Sequence, residues 1–212
     1  MLPRDHGFGT SFLGVGSYLL SDKRDEDAPE AANTNERVAW THCHNLGTQD
    51  AEMGFRVMAA CAMDKTRLRQ QAHERAQEAL PEEERKPFRN TGRKSNDDVW
   101  HFSLGWHEDD EEGLTKESMI EDALAALAVI GKENANVKRG AQYAVEHQVI
   151  LVCHEEEDTK PHIHAVVNRV HPEHGLKLQD YNDWKRFSRW AQEYEEQRKV
   201  CLLYTSPSPR DS

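Results

Sequence analysis

The stretch HQVILVCHEEEDTKPHIHAVVNRV, residues 147–170, decides the fold. It contains two runs rich in β-branched residues, 147–154 and 162–170, joined by the acidic connector 155–161. Apolar runs of this length that contain Val and Ile are typical of strands, and the connector is short enough for a hairpin. The sequence therefore predicts two neighbouring antiparallel strands.

Three histidines lie on this hairpin. Side chains of a strand alternate between its faces, so His162 and His164 project side by side. His154 ends the matching face of the preceding strand and is expected opposite them. Three converging imidazoles that leave coordination positions open are typical of a catalytic metal site, since structural sites tend to be closed by a fourth protein ligand. The competing interpretation is a polar patch that binds metal only weakly, and the third histidine on the facing strand favours a true site.

An orienting carboxylate is also expected. Asp158, with Glu157 as the alternative, lies where it could accept the second N–H of a ligand imidazole.

The remaining pattern predicts strands that alternate with long helices. Apolar spacing favours a helix over 9–23, and 48–80 reads as a long amphipathic helix interrupted near Asp64. A helix is predicted from Lys116 to about Ile130, with Thr115 as its cap and Ser118 as the competing start, and a last helix is predicted from Asp183. Two further strands are predicted over 36–46 and 99–106, the first with Val38, Trp40, His42 and His44 on one face. We expect an α/β (α+β) fold, a two-layer sandwich with a mainly antiparallel sheet and helices on one face.

Composition limits the class of protein. The chain has 212 residues, of which 31% are charged, and its mean hydropathy is −0.88. A signal peptide is not recognisable, and the most apolar window, 123–131, is too short to span a bilayer. The four cysteines follow no framework spacing. We therefore expect a cytoplasmic protein without membrane insertion.

The net charge of −11 argues against a nucleic-acid partner at first sight. Positive charge nevertheless gathers in RKPFRNTGRK (85–94), and WKRFSRW (184–190) mixes cations with aromatic rings. A local basic groove can hold a phosphate chain whatever the net charge. Composition alone therefore leaves a nucleic-acid role open.

The C-terminal segment is predicted to be non-native. Residues 201–211, CLLYTSPSPRD, follow a helix in mid-course and match the translation of a transposase-type sequencing-library adaptor. We expect one truncated domain over 1–200 and a non-native tail over 201–212.

Several motifs occur together in one order. They are GTSFLGVGSYLLSDK (9–23), ERVAWT (36–41), TGRKSN (91–96), HFSLGW (101–106) and His154-x7-His162-x-His164. From about residue 4 to Val200, the chain resembles the plasmid mobilisation relaxases of the HUH endonuclease superfamily.

The resemblance implies a metal-dependent, site- and strand-specific DNA nickase that starts plasmid mobilisation or conjugation. Its implied cofactor is Mg²⁺ or Mn²⁺, and imidazole ligands make Zn²⁺ an alternative. Its implied partners are single-stranded DNA at an origin of transfer, accessory mobilisation proteins, and a coupling protein with a type IV secretion system in a bacterial cytoplasm.

Tyr18 matches the implied nucleophile, which would form a 5′-phosphotyrosyl link. The competing interpretation packs its ring against Phe12 and Leu19 as helix core. Gly14 and Gly16 would let the backbone approach a substrate closely. Candidate phosphate contacts are Lys23, Arg37, Arg93 and Lys94.

Four histidines stay without an assigned role, namely His6, His42, His44 and His101. His101 faces either the sheet interior or the site, depending on register, and His6 is an outside candidate for the nucleophile.

Three other classes of function remain. A rolling-circle replication initiator shares the chemistry, but its tyrosine normally follows the histidines, whereas Tyr18 precedes them. A metal-dependent hydrolase would use activated water and keep activity without Tyr18. A non-enzymatic DNA-binding accessory protein would need a fourth metal ligand.

Overall fold

A five-stranded antiparallel sheet forms the centre of the molecule, with strand order β1-β3-β7-β6-β2. The computed structural model describes residues 2–21, 37–91, 95–106, 114–132, 142–156, 159–178 and 183–198. The sheet strands are β1 Leu2–Gly9, β2 Val38–His44, β3 Val99–Gly105, β6 Val149–Glu156 and β7 Thr159–Asn168. The short strands β4 Gly131–Lys132 and β5 Gln142–Tyr143 pair separately.

The helices are α1 Phe12–Leu20, α2 Ala51–Met63, α3 Lys65–Glu78, α4 Lys116–Ala128 and α5 Asp183–Arg198. Side-chain oxygens of Ser11, Asp50 and Thr115 accept backbone N–H groups at the starts of α1, α2 and α4, which satisfies donors that a helix start leaves without partners. The predicted interruption near Asp64 is confirmed, since this residue separates α2 from α3.

β6 and β7 form the hairpin that the sequence predicts. His154 lies opposite His162, and Val152 lies opposite His164. Alternate residues of β6 enter two different hydrophobic clusters, because the hairpin is central in the sheet and covered on both faces. This double burial explains why its apolar residues run continuously instead of alternating with polar ones.

The α+β class and the antiparallel sheet are confirmed, and the structure differs in one respect: helices cover both faces of the sheet. α1 and α2 pack on one face through buried residues such as Leu19 and Phe55. α4 and α5 pack on the other through residues such as Leu127 and Phe187. We call the face under α1 and α2 the site face, because the three predicted ligand histidines lie on it.

β1 is an element that the sequence did not reveal. It is an edge strand that contains Pro3, Arg4 and Asp5, so it lacks the apolar alternation by which strands are recognised. Its pairing with β3 shifts between Asp5 and Gly7, and Gly7 has a φ of 88°. His6 lies at this β-bulge.

A second shift changes the prediction for β2. Pairing with β6 slips between Val38 and Trp40. Trp40 packs against the cluster of the opposite face, whereas Val38 packs against the cluster of the site face. A slip of one residue exchanges the faces, so Val38 and Trp40 do not share a face as expected.

Gly16 permits close contact between α1 and α2. A Cβ atom at this position would lie 2.6 Å from the Phe55 ring. The glycine therefore serves helix packing, and an approach of this backbone to a substrate stays a prediction.

No helix in the described ranges has both the length and the apolar character needed to cross a bilayer. The tail 201–212 lies outside the described residues.

Candidate metal centre

The structure brings together the three histidines that the sequence selects. Ligand nitrogens of His154, His162 and His164 all lie within 4.8 Å of one another. His154 ends the site face of β6, and the other two alternate with Ile163 on β7. Their ring centroids are 4.7 to 5.5 Å apart. Strand periodicity and hairpin register therefore produce a compact set of nitrogen donors.

Each of these imidazoles has an orienting partner at one ring nitrogen. His154 Nε2 lies 2.8 Å from the Leu19 carbonyl oxygen, and His162 Nδ1 lies 3.1 Å from the Lys160 carbonyl oxygen. A carbonyl oxygen only accepts, so these nitrogens carry the protons and the rings would bind an ion through Nδ1 and Nε2, respectively. Such partners hold ligand histidines in one tautomer and orientation.

His164 differs because its partner is a side chain. Its Nδ1 lies 2.9 Å from Nε2 of His101 on the neighbouring strand β3. The sequence left the direction of His101 open, and the register places it on the site face. Ser103 pairs with His164 in the β3–β7 ladder and lies on the same face.

The imidazoles of His164 and His101 are neutral at neutral pH. Burial, together with the neighbouring histidines His154 and His101, lowers the pKa of His164 to about 2. Burial also lowers the pKa of His101 to about 4, with His6 as the next cause. Neutral imidazole is the form that binds a metal ion, so the site suits a divalent cation.

His6, on the edge strand β1, also packs against this group of rings. Its ring stacks on that of His101, with centroids 4.3 Å apart and an interplanar angle of 23°. Its Nε2 lies 2.9 Å from Ser103 Oγ. The bulge in β1 places His6 here, and bulges near functional sites commonly redirect a side chain in this way.

Tyr18 is exposed, not packed in the helix core. Its relative accessibility is 64%, whereas Phe12 and Leu19 are buried. This exposure excludes the competing core interpretation. The next residue, Leu19, provides the carbonyl that accepts from His154, so the end of α1 is joined directly to the candidate metal centre. The role of Tyr18 as nucleophile stays a prediction.

Arg37 stabilises this end of α1 through its side chain. It is only 8% exposed, and its guanidinium donates to the Tyr18 carbonyl at 2.6 Å and lies 5.4 Å from the Tyr18 ring centre. These contacts hold Tyr18 in place, and a direct phosphate contact by Arg37 stays a prediction.

Several predicted site residues lie outside the described residues, namely Asp158, Lys23, Arg93 and Lys94. Their roles stay predictions. His44, in contrast, is described and lies away from the centre, where its Nε2 donates to the Val145 carbonyl oxygen at 2.9 Å.

Among the described residues, clefts lie beside α1 and α2 and beside α3. One of about 520 Å³ lies beside α1 and α2 and is lined partly by Leu13, Phe55 and Arg56. The other, of about 570 Å³, is lined partly by Arg69 and by residues 86–91. The second cleft contains much of the basic segment that the sequence singled out, and cations beside an aromatic ring suit a phosphate chain with exposed bases.

Comparison with known proteins gives one family match. The model of the relaxase family, described as MobA/VirD2-like, nuclease domain, matches residues 27–200. A search of curated proteins and a search of solved structures each find no significant match.

Proposed function

The chain belongs to the MobA/VirD2-like relaxase family, and we propose that it cuts one DNA strand at an origin of transfer through a covalent bond to Tyr18. As a relaxase nuclease domain it is a DNA-nicking enzyme whose family binds single-stranded DNA. The observation that carries the finer proposal is the position of Tyr18. It is exposed and adjoins Leu19, whose carbonyl contacts His154 of the metal centre.

The proposed cofactor is one divalent ion held by His154, His162 and His164, and Mg²⁺ or Mn²⁺ is the ion that the family resemblance favours. The donor set fits such an ion, because each imidazole has a partner that directs one ring nitrogen away from the shared centre. When bound, a divalent ion supplies Lewis-acid polarisation of a non-bridging phosphate oxygen. Zn²⁺ remains the alternative on grounds of ligand softness.

The chain's own residues supply the nucleophile and its position. The Tyr18 hydroxyl loses its proton and attacks the scissile phosphorus, so that a phosphotyrosyl P–O bond forms. The bond from phosphorus to the 3′ oxygen breaks, and that oxygen leaves as a 3′ hydroxyl after taking up a proton. Arg37 holds the end of α1 through the Tyr18 carbonyl during this step.

The proposed partners beyond single-stranded DNA are accessory mobilisation proteins and a coupling protein of a type IV secretion system. A bacterial cytoplasm would be the place of action. These proposals follow from the family alone.

Incubation with Mn²⁺ and oligonucleotides from candidate transfer origins tests the proposal. We expect an adduct of protein and DNA that survives SDS in the wild type and is lost in Tyr18→Phe. Tyr194→Phe is a matched control, because Tyr194 lies on α5 and its hydroxyl donates to Asp122 at 2.7 Å. Its adduct yield should stay within about twofold.

Two outcomes would contradict the proposal. Cleavage that persists in Tyr18→Phe would indicate a hydrolase that uses activated water. Absence of an adduct with every origin sequence, for a chain that binds Mn²⁺, would remove the covalent mechanism.

A further inference from the structure

We propose that His101 is a positioning residue for the metal centre. It accepts a hydrogen bond from His164 Nδ1–H and so selects the tautomer that presents Nε2 to the ion. The inference rests on the proposed metal centre and extends it to a residue outside the ligand set.

The geometry that supports this role is direct. His101 Nε2 and His164 Nδ1 are 2.9 Å apart, which is a normal hydrogen-bond length. The two residues lie on adjacent strands and are held in register by the Ser103–His164 and His101–Val166 pairs. The contact therefore follows from the sheet itself and does not depend on a flexible connector.

Proton placement assigns the direction of the bond. A neutral imidazole has one donor nitrogen and one acceptor nitrogen. If His164 binds an ion through Nε2, its proton is on Nδ1 and His101 must accept through Nε2. The proton of His101 is then on its own Nδ1.

His164 is the ligand most open to such control. His154 and His162 donate to backbone carbonyls, which side-chain substitution does not remove. His164 depends on a side chain, so its orientation can be changed by mutation at another position. Asp158, which the sequence predicts as an orienting carboxylate, lies outside the described residues, and its role stays a prediction beside that of His101.

His6 supports His101 from the edge strand. The stacked rings limit rotation of His101, and the bond between His6 Nε2 and Ser103 Oγ fixes His6 in turn. A contact of this kind prevents the acceptor from turning away from His164.

A second ion is the competing use of these rings. Ligand nitrogens of His6, His101 and His164 also lie within 4.8 Å of one another. However, an ion bound there through His164 Nδ1 would displace the hydrogen bond to His101. The nearly parallel rings of His6 and His101 also suit stacking better than convergence on a metal.

Mn²⁺ binding to the whole chain, measured by calorimetry, tests the assignment with His101→Leu and His101→Gln. Leu fills the space without an acceptor, whereas the Gln amide oxygen can accept from His164. We expect one ion per wild-type chain, 10- to 100-fold weaker binding in His101→Leu, and binding within about threefold of wild type in His101→Gln. A residue needed only for packing would not show this rescue.

Long-range ¹H–¹⁵N correlation spectra of the metal-free chain and of the Zn²⁺-loaded chain give a second readout. We expect His164 to be protonated at Nδ1 in both spectra. This measurement uses the wild-type chain, so it tests the inference even if His101→Leu fails to fold. Wild-type affinity in folded His101→Leu, a proton on Nε2, or two ions per chain would each overturn the inference. A wild type that binds no ion but shows the Nδ1 proton would contradict the metal centre of the proposed function and leave the His101–His164 bond established.

Discussion

The two ends of the β6–β7 hairpin each hold three histidines, and the two sets differ in what they can do. The metal-end cluster is His154, His162 and His164. The far-end cluster is His147, His171 and His174, which lie before β6 and after β7.

Burial has the same electrostatic effect at both ends. Together with neighbouring histidines, it lowers the pKa of His164 to about 2 and that of His147 to about 3. Burial also lowers the pKa of His171. A lowered pKa therefore does not distinguish a candidate site from a structural cluster.

The arrangement of ring nitrogens does distinguish the two ends. At the far end, His147 Nδ1 donates to the Asn168 carbonyl oxygen, and His171 Nδ1 accepts from the Glu173 backbone N–H. His171 and His174 stack with centroids 3.7 Å apart. Across the ranges the structure describes, these three do not form a ligand group, whereas the metal-end cluster does. At the far end, local hydrogen bonds and ring stacking stabilise the turn that follows β7. Converging ring nitrogens, and not neighbouring rings alone, therefore indicate a metal site.

The largest difference is expected in metal binding. His162→Ala should weaken Mn²⁺ binding by at least about 100-fold and abolish the DNA adduct, because one of three ligands is lost. His174→Ala, the matched change at the far end, should leave the Mn²⁺ affinity within about twofold. Calorimetry and the adduct assay measure both, and EDTA should reproduce the His162→Ala result in the wild type. Equal losses in the two variants would break the comparison.

The opposite ranking is expected for folding stability. His147 is fully buried, so His147→Ala should lower the free energy of unfolding by about 2–4 kcal/mol through a cavity and a lost hydrogen bond. Urea unfolding monitored by circular dichroism measures this change in the metal-free chain. His162 is half-buried, and His162→Ala should cost less than about 1 kcal/mol. A larger loss at His162 would mean that the metal end also carries the stability of the hairpin.

The smallest effect is a pH dependence that the far end contributes. The pKa of His147 is lowered from 6.5 to about 3, so between these values the unfolded chain binds more protons than the folded chain. Stability is then complete above about pH 6.5 and falls as the pH decreases towards 3.

Unfolding at pH 7.5 and 5.0 should show a decrease of about 1–2 kcal/mol from His147 alone. His147→Leu should remove that part of the slope, while the part that comes from His101 and His164 remains. An unchanged slope in His147→Leu would show that the residue is not neutral in the folded chain.

Local patterns in the sequence were sufficient for most of the elements. The apolar runs on either side of 155–161 predict the hairpin, and the positions of His154, His162 and His164 then follow from a period of two. Thr115 and Asp64 mark a helix start and a helix break that the structure confirms. These features depend on neighbours in the chain, which is why a single sequence reveals them.

Features that depend on distant pairing were missed or left open. β1 has no apolar alternation, so nothing local identified it as a strand, and its bulge determines where His6 points. The direction of His101 depends on its register with β7, and the faces of β2 depend on a slip against β6. A sequence does not specify such registers locally, because each is set by contacts across the sheet.

The sequence by itself determined the candidate three-histidine ligand set, the α+β class and the resemblance to relaxases, since these depend on residue identity and short spacing. Only the tertiary structure decided that helices cover both faces and that Tyr18 is exposed beside the Leu19–His154 contact. It also decided that His101 contacts His164 and that His6 stacks on His101. The physical reason is that side-chain direction in a sheet changes with a shift of one residue. Pairing between strands far apart in the chain fixes that shift.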